Sequence, residues 1–204
     1  MTDLEKERLK RTLAYNILDT VPEEEYDNLV RVAAYMCDAP YALMSLVDED
    51  RVWFKARHGI LASEASRDSS FCTHVVDEPV DAFIVEDASI DPRFDSNPYV
   101  HGEPHIKHYI GVPLLTPSEH YKIGALCVMH HEARKPDVEQ IEHLKRLARC
   151  IMIHLDLKVA FADLVDRERV LEDYRRSVKR QLLQSIQTDV GSIERNVELD
   201  QGNS

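Results

Sequence analysis

Glycine is scarce in this sequence, 6 among 204 residues, and none falls in the closely spaced pattern that cradles phosphates at a strand-to-helix turn. No run approaches the ~18 apolar residues that a membrane span requires. The opening residues, MTDLEKERLKRTL, are charged where a secretory leader would be apolar. Positive charge is also in deficit: 25 Lys and Arg stand against 37 Asp and Glu, a net charge of −12 with histidines neutral. A surface this acidic repels phosphate backbones and anionic headgroups, which argues against nucleic-acid and membrane-surface partners. The four cysteines, at 37, 72, 127 and 150, form no CxxC pair. Unpaired thiols in a chain of this kind fit a reducing, cytoplasmic setting.

What is present is an ordinary globular composition, 44 % hydrophobic and 30 % charged, in a chain long enough for one domain plus additional helix. Residues 3–17 read as an amphipathic helix carrying Leu9, Leu13 and Ile17. Thr20 and Glu23 have capping-box spacing, with Pro22 in the first turn of a second helix. Its buried face is predicted from Tyr26, Leu29, Val30, Ala33, Ala34 and Cys37. The period then changes to two. YALMSLVDEDRVWFKARHG predicts two strands joined by an acidic turn, with Val52, Phe54 and Ala56 on the face opposite Trp53, Lys55 and Arg57. Residues 60–70 are expected to be loop, DAFIVEDAS a strand, and the proline-rich IDPRFDSNPYVHGEPH mostly loop. IKHYIGVPLLT and YKIGALCVMHH read as strands separated by the turn PSEH.

Helical periodicity returns after Pro136 with Ile141, Leu144, Leu147, Ala148, Ile151 and Leu155. Beyond them Leu157, Leu164, Leu171 and Val178 fall seven apart, a coiled-coil pattern that Arg167 and Gln181 interrupt. Helices at both chain ends around clustered hairpins predict an α+β domain with a central, mainly antiparallel sheet of five to six strands. The organisation expected is an N-terminal helix over 1–20, a domain over 21–156, a signalling or coiled-coil helix over 157–190 and a frayed tail over 191–204.

Five segments taken in order, ILDTVPEEEYDNLVRVAAYMCDAPYALMSLVDEDRVWFKARHGI, RDSSFCTHVV, VEDASIDPRFDSNPYV, PHIKHYIGVPL and IGALCVMH, resemble a bacterial GAF domain of the type found before diguanylate cyclase and histidine kinase modules. The resemblance implies helices on the faces of the sheet, with terminal helices packed together as a homodimer interface. It also implies a cavity between sheet and loops for a small metabolite, and a downstream output domain or partner protein. Bilin-binding members carry their attachment cysteine directly before a histidine; here Thr73 separates Cys72 from His74. No cyclic-nucleotide signature is recognisable, so the cofactor is left unknown. The cysteine cluster of free methionine sulfoxide reductases does not map either, since Cys127 falls mid-strand and Cys37 on a helix.

The residue types themselves allow several chemistries. Cys72 and His74 could be a thiolate with its base, but two residues apart on a helix they face different directions. A thiolate also needs a nearby positive group. His101, His105 and His108 have metal-like spacing that Pro104 and the following strand disrupt. Asp91, Arg93 and Asp95 lack the glycine and distal glutamate of a calcium loop and suit internally paired turns better. No metal site and no catalytic residue are assigned. The GAF architecture places Trp53, Phe54, Phe71, Cys72, His74, Phe94, His105, Tyr109 and Cys127 around the cavity. The expected role is a non-enzymatic small-molecule sensor; the alternatives are a ligand-free dimerisation module and a thiol-based reductase.

Overall fold

The computed structural model describes residues 1–117 and 120–201, with side chains described as far as residue 184. Two compact units divide the chain, Met1–Leu157 and Lys158–Ser204. The first contains helices α1 (Asp3–Ala14) and α2 (Glu24–Met36), strands β1 (Tyr41–Val47), β2 (Arg51–His58) and β3 (Glu64–Ser66), helix α3 (Phe71–Asp77), strand β4 (Phe83–Val85), helix α4 (Pro98–His101), and strands β5 (His108–Leu115) and β6 (Lys122–His130). Helix α5 (Val138–Gln201) begins in the first unit and supplies the second. Ser118 and Glu119, within the predicted PSEH turn, lie outside the described residues, as do 202–204.

Six strands form one antiparallel sheet in the order β3-β2-β1-β6-β5-β4. Both faces are covered, so the central strands are buried almost continuously along their length. On one face, Tyr26, Val30 and Ala33 of α2 pack with Leu144, Ala148, Ile151 and Leu155 of α5 against Met44, Leu46, Ile110 and Val128. Tyr15, at the end of α1, donates to Asp156 Oδ1 at 2.7 Å, joining the N-terminal and C-terminal helices of this unit. On the other face, α3 and the loops enclose a second core of Leu43, Phe54, Phe71, Val75, Phe94, Tyr109 and Cys127. The α+β architecture agrees with the sequence reading.

Local corrections are instructive. Helix α1 stops at Ala14 because Asn16 and Asp19 adopt left-handed backbone conformations, φ 48° and 58°. Ile17 is therefore buried from a turn, and Leu13 faces solvent. The Thr20–Glu23 capping box does not form, since Glu23 caps α2 with no side-chain bond. Both side chains instead accept from Lys55 Nζ, at 2.7 Å from Thr20 Oγ1 and 2.6 Å from Glu23 Oε1. A bulge in β2 pairs Met44 with Ala56 but Ser45 with Phe54. That extra residue moves Ala56 onto the α2 side with Trp53, against strict alternation. The expected loop at 60–70 holds the short edge strand β3, tied to β2 by Arg51 pairing with Glu64 at 2.8 Å. At the other end, α5 extends to Gln201.

Helix α1 is anchored through charge. Arg8 Nη1 donates to Val47 O at 2.7 Å, while Glu5 accepts from Arg8 at 2.7 Å and from Arg67 at 2.6 Å. Burial alone would raise the Glu5 pKa, but the two guanidiniums hold it down to about 2.

Candidate functional site

A cavity of about 340 Å³ lies between the α3 face of the sheet and the loops above it. Its floor comes from neighbouring strands: Tyr41 and Leu43 of β1, Phe54 of β2, Tyr109 of β5 and Met129 of β6. Antiparallel register explains this grouping, because Met129 lies opposite both Tyr41 and Tyr109. Residues 59–65 form one rim, with Ile60, Leu61 and Glu64 reaching the cavity. Gly59 opens that rim at φ 75°, and a Cβ there would meet Pro40 O at 2.1 Å. The opposite rim supplies Tyr99, Glu103, Pro104 and Ile106. Asn97 ties this second rim to the turn before α3: its Oδ1 accepts from Tyr99 N at 2.9 Å and its Nδ2 donates to Ser69 O at 2.8 Å.

Ser70, Phe71 and Cys72, at the start of α3, close the inner end. Behind them is an aromatic layer. Phe71 stacks on Phe94 with ring centres 4.2 Å apart and on Tyr109 at 5.1 Å. Gly111 makes room for this arrangement, since a Cβ there would come within 2.4 Å of the Tyr109 hydroxyl. The hydroxyl consequently reaches Cys72 Sγ at 3.4 Å. Cys127 Sγ lies 3.8 Å from Cys72 Sγ, and both thiols are buried. Hydrogen bonding from Cys127 outweighs burial to hold the Cys72 thiol below its ordinary value, with Ser45, Tyr109 and Ser70 contributing. Burial pushes the Cys127 thiol and the Tyr109 phenol well up.

Of the nine residues selected from sequence, Phe54, Phe71, Cys72 and Tyr109 line the cavity. Phe94 and Cys127 stand one layer behind, against Phe71 and Cys72 respectively. His74 faces away, stacked on Phe83 at 5.1 Å and 3.2 Å from Glu78, and so makes no local pair with Cys72. His105 is at the outer loop, half exposed, 3.9 Å from Glu103. Trp53 belongs to the opposite face of the sheet, near Lys55. The parity of Tyr41, Leu43 and Met129 with Tyr109 was readable once pairing register was known; the inward course of Ile60, Tyr99 and Ile106 was not. Placing Cys72 and Cys127 around one cavity from sequence did not reveal their direct contact between α3 and β6.

The polar segments behave as their side-chain chemistry suggests. Arg93 pairs with Asp91 at 2.7 Å and lies over the Phe83 ring at 4.9 Å. His108 and His130 are buried with ring centres 5.5 Å apart, and desolvation lowers the pKa of both. No group of three His, Cys, Asp or Glu side chains among the described residues could hold a metal ion. No helix among them is long and apolar enough to cross a membrane.

Comparison with known proteins adds an independent observation. The family model for the GAF domain matches residues 21–155. A cyclic di-GMP phosphodiesterase of Pseudomonas aeruginosa is 36 % identical over 172 residues, covering 80 % of this chain and 29 % of that protein. The chain thus spans less than a third of the curated relative it matches. Among solved structures, the GAF domain of an Acinetobacter phosphoenolpyruvate-protein phosphotransferase is 21 % identical, with a TM-score of 0.54 over 81 % of this chain and 98 % of that one. A type II free methionine-R-sulfoxide reductase from Thermoplasma acidophilum is 12 % identical, with a TM-score of 0.53 over 75 % and 95 % respectively. At these identities the structural likenesses concern the fold alone.

Proposed function

The chain belongs to the GAF-domain family, and from that premise we propose that it is a cytoplasmic sensory module whose cavity takes an apolar, uncharged or cationic small molecule. The observation carrying this reading is the cavity wall. Aromatic and aliphatic side chains dominate it, and the charged groups lining it are the carboxylates of Glu64 and Glu103. An anionic ligand would lose hydration and gain no cationic partner among the lining residues, whereas a cation could use the Glu103 carboxylate at the rim, Glu64 being already paired with Arg51. The chemistry therefore disfavours phosphate-bearing ligands, including cyclic nucleotides.

Ligand binding would be relayed through the sheet. Leu43 and Met129 face the cavity, while their strand neighbours Met44 and Val128 pack on the α2 and α5 side. A small change in α5 packing would pass along that helix to a downstream domain or partner, and requires a differential affinity of only a few kcal/mol. Leu157, Leu164, Leu171 and Tyr174 are exposed on α5, which supports self-association through this helix as a homodimer. The Pseudomonas relative is named a cyclic di-GMP phosphodiesterase, and a regulatory rather than catalytic part for the present chain rests on its GAF family match.

The test is thermal shift with three compounds of similar ring system and different charge: indole, tryptamine and indole-3-acetate. Indole and tryptamine should raise the melting temperature, indole-3-acetate should not, and Tyr99→Ala should diminish the response. Equal or greater stabilisation by the anion, or no response to any of the three or to a broad apolar library, would sink the reading.

A further inference from the structure

The cavity ends on a pair of thiols. Cys72 lines it, from the first turn of α3, and Cys127 lies directly behind, in the middle of β6. Their sulfurs are 3.8 Å apart, and a disulfide requires ~2.05 Å. Closing that distance requires rotation about the Cys72 side chain and a shift of the seven-residue α3. The other cysteines are placed differently, Cys37 buried at the end of α2 and Cys150 exposed on α5. A polar group also serves the pair: the Tyr109 hydroxyl donates to Cys72 Sγ at 3.4 Å. Such a bond stabilises a thiolate more than a thiol, and the Cys72 thiol is already held low by its neighbours.

We propose that Cys72 and Cys127 are an oxidisable dithiol site for a small hydroperoxide, with Cys72 meeting the oxidant in the cavity and Cys127 resolving the product. The Cys72 thiolate attacks the outer oxygen of the hydroperoxide, the O–O bond breaks, and the leaving alkoxide takes a proton to become an alcohol. Cys72 is then a sulfenic acid. The Cys127 sulfur attacks the Cys72 sulfur, the S–O bond breaks, and hydroxide leaves with the Cys127 proton as water. In sum, two thiols and one hydroperoxide give one disulfide, one alcohol and one water. The bond joins α3 to the sheet at the inner end of the cavity, so oxidation state and cavity shape become linked. This site does not depend on the identity, or existence, of an apolar ligand.

The experiment uses the full chain carrying Cys150→Ser, which removes the exposed thiol. Hydrogen peroxide is titrated in, remaining thiols are alkylated, and the protein is mapped by non-reducing mass spectrometry. The expected result is a loss of about 2 Da, reversible by dithiothreitol, with a Cys72–Cys127 linked peptide. In a Cys127→Ser background, Cys72 should gain about 16 Da as a dimedone-reactive sulfenic acid. Cys72→Ser should leave Cys127 reduced. The proposal is overturned if the pair stays reduced at peroxide concentrations that fully oxidise Cys150 in the unsubstituted chain. A disulfide mapping to Cys37, or oxidation of Cys127 persisting in Cys72→Ser, overturns it equally. Because the linked peptide is sought in a chain retaining both thiols, the decision stands even where a cavity variant folds poorly.

Discussion

Lys55 offers the sharpest test of how the helix-covered face is held. Its side chain is fully buried, and its ammonium donates to Thr20 Oγ1, Val21 O and Glu23 Oε1 at 2.7, 2.8 and 2.6 Å. The Tyr26 and Trp53 rings lie 5.5 and 5.9 Å from the nitrogen. Glu23→Gln removes the countercharge and leaves the cation in place. Breaking a buried pair from one side typically costs about 3–5 kcal/mol. Glu23 retains 22 % of its side-chain exposure, so water can partly replace it, which reduces the expected cost to about 2–3 kcal/mol. For a protein of this size that corresponds to a fall in melting temperature of about 4–12 °C. Lys55→Met in the Glu23→Gln background should recover part of the loss, because no unpaired charge then remains inside. Trp53 is the single tryptophan and is buried on the same face, so its emission during urea unfolding reports the relevant unit directly. A Glu23→Gln loss below about 0.5 kcal/mol, or a Lys55→Met double variant less stable than Glu23→Gln alone, would refute the reasoning.

The Glu5 cluster predicts a pH window. With a folded pKa of about 2 against an ordinary value of 4.5, ionised Glu5 contributes stability fully above pH 4.5. That contribution is lost as pH falls from 4.5 towards 2, so the urea-midpoint gap between the wild type and Glu5→Gln should be wide at pH 7 and nearly closed near pH 2. An unchanging gap across that range would count against the pairing with Arg8 and Arg67. On α5, Leu164→Asp with Leu171→Asp should convert the proposed dimer to a monomer in light scattering. Trp53 unfolding at matched concentration then shows whether the first unit remains intact, and an unaltered mass would argue against this helix as the interface.

Much of the architecture could be read before any coordinates, because burial periodicity is a local property. Tyr26, Val30, Ala33 and Ala34 mark the inner face of α2 by spacing alone, and Leu144, Ala148, Ile151 and Leu155 do so for α5. The paired β1–β2 and β5–β6 hairpins were likewise visible as changes of period. Resemblance across five segments identified the family and, through it, a cavity on the sheet. The candidate site was less accessible. Of the residues chosen from sequence, Phe54, Phe71, Cys72 and Tyr109 border this cavity, whereas Trp53, His74 and His105 lie elsewhere.

The sequence by itself determined the main helices, the central strands and the acidic charge, since each depends on residue type and near-neighbour spacing. The GAF architecture followed from the resemblance of five segments to a family. Only the tertiary structure decided which side chains meet. A one-residue bulge at Lys55 changes the face on which Ala56 lies, and Lys55 takes Thr20 and Glu23 away from the helix cap they seemed spaced to form. Cys72 and Cys127 are 55 residues apart in the chain and 3.8 Å apart in space. That contact depends on how α3 docks on β6 and on the space Gly111 leaves for Tyr109, neither of which is encoded in any local pattern.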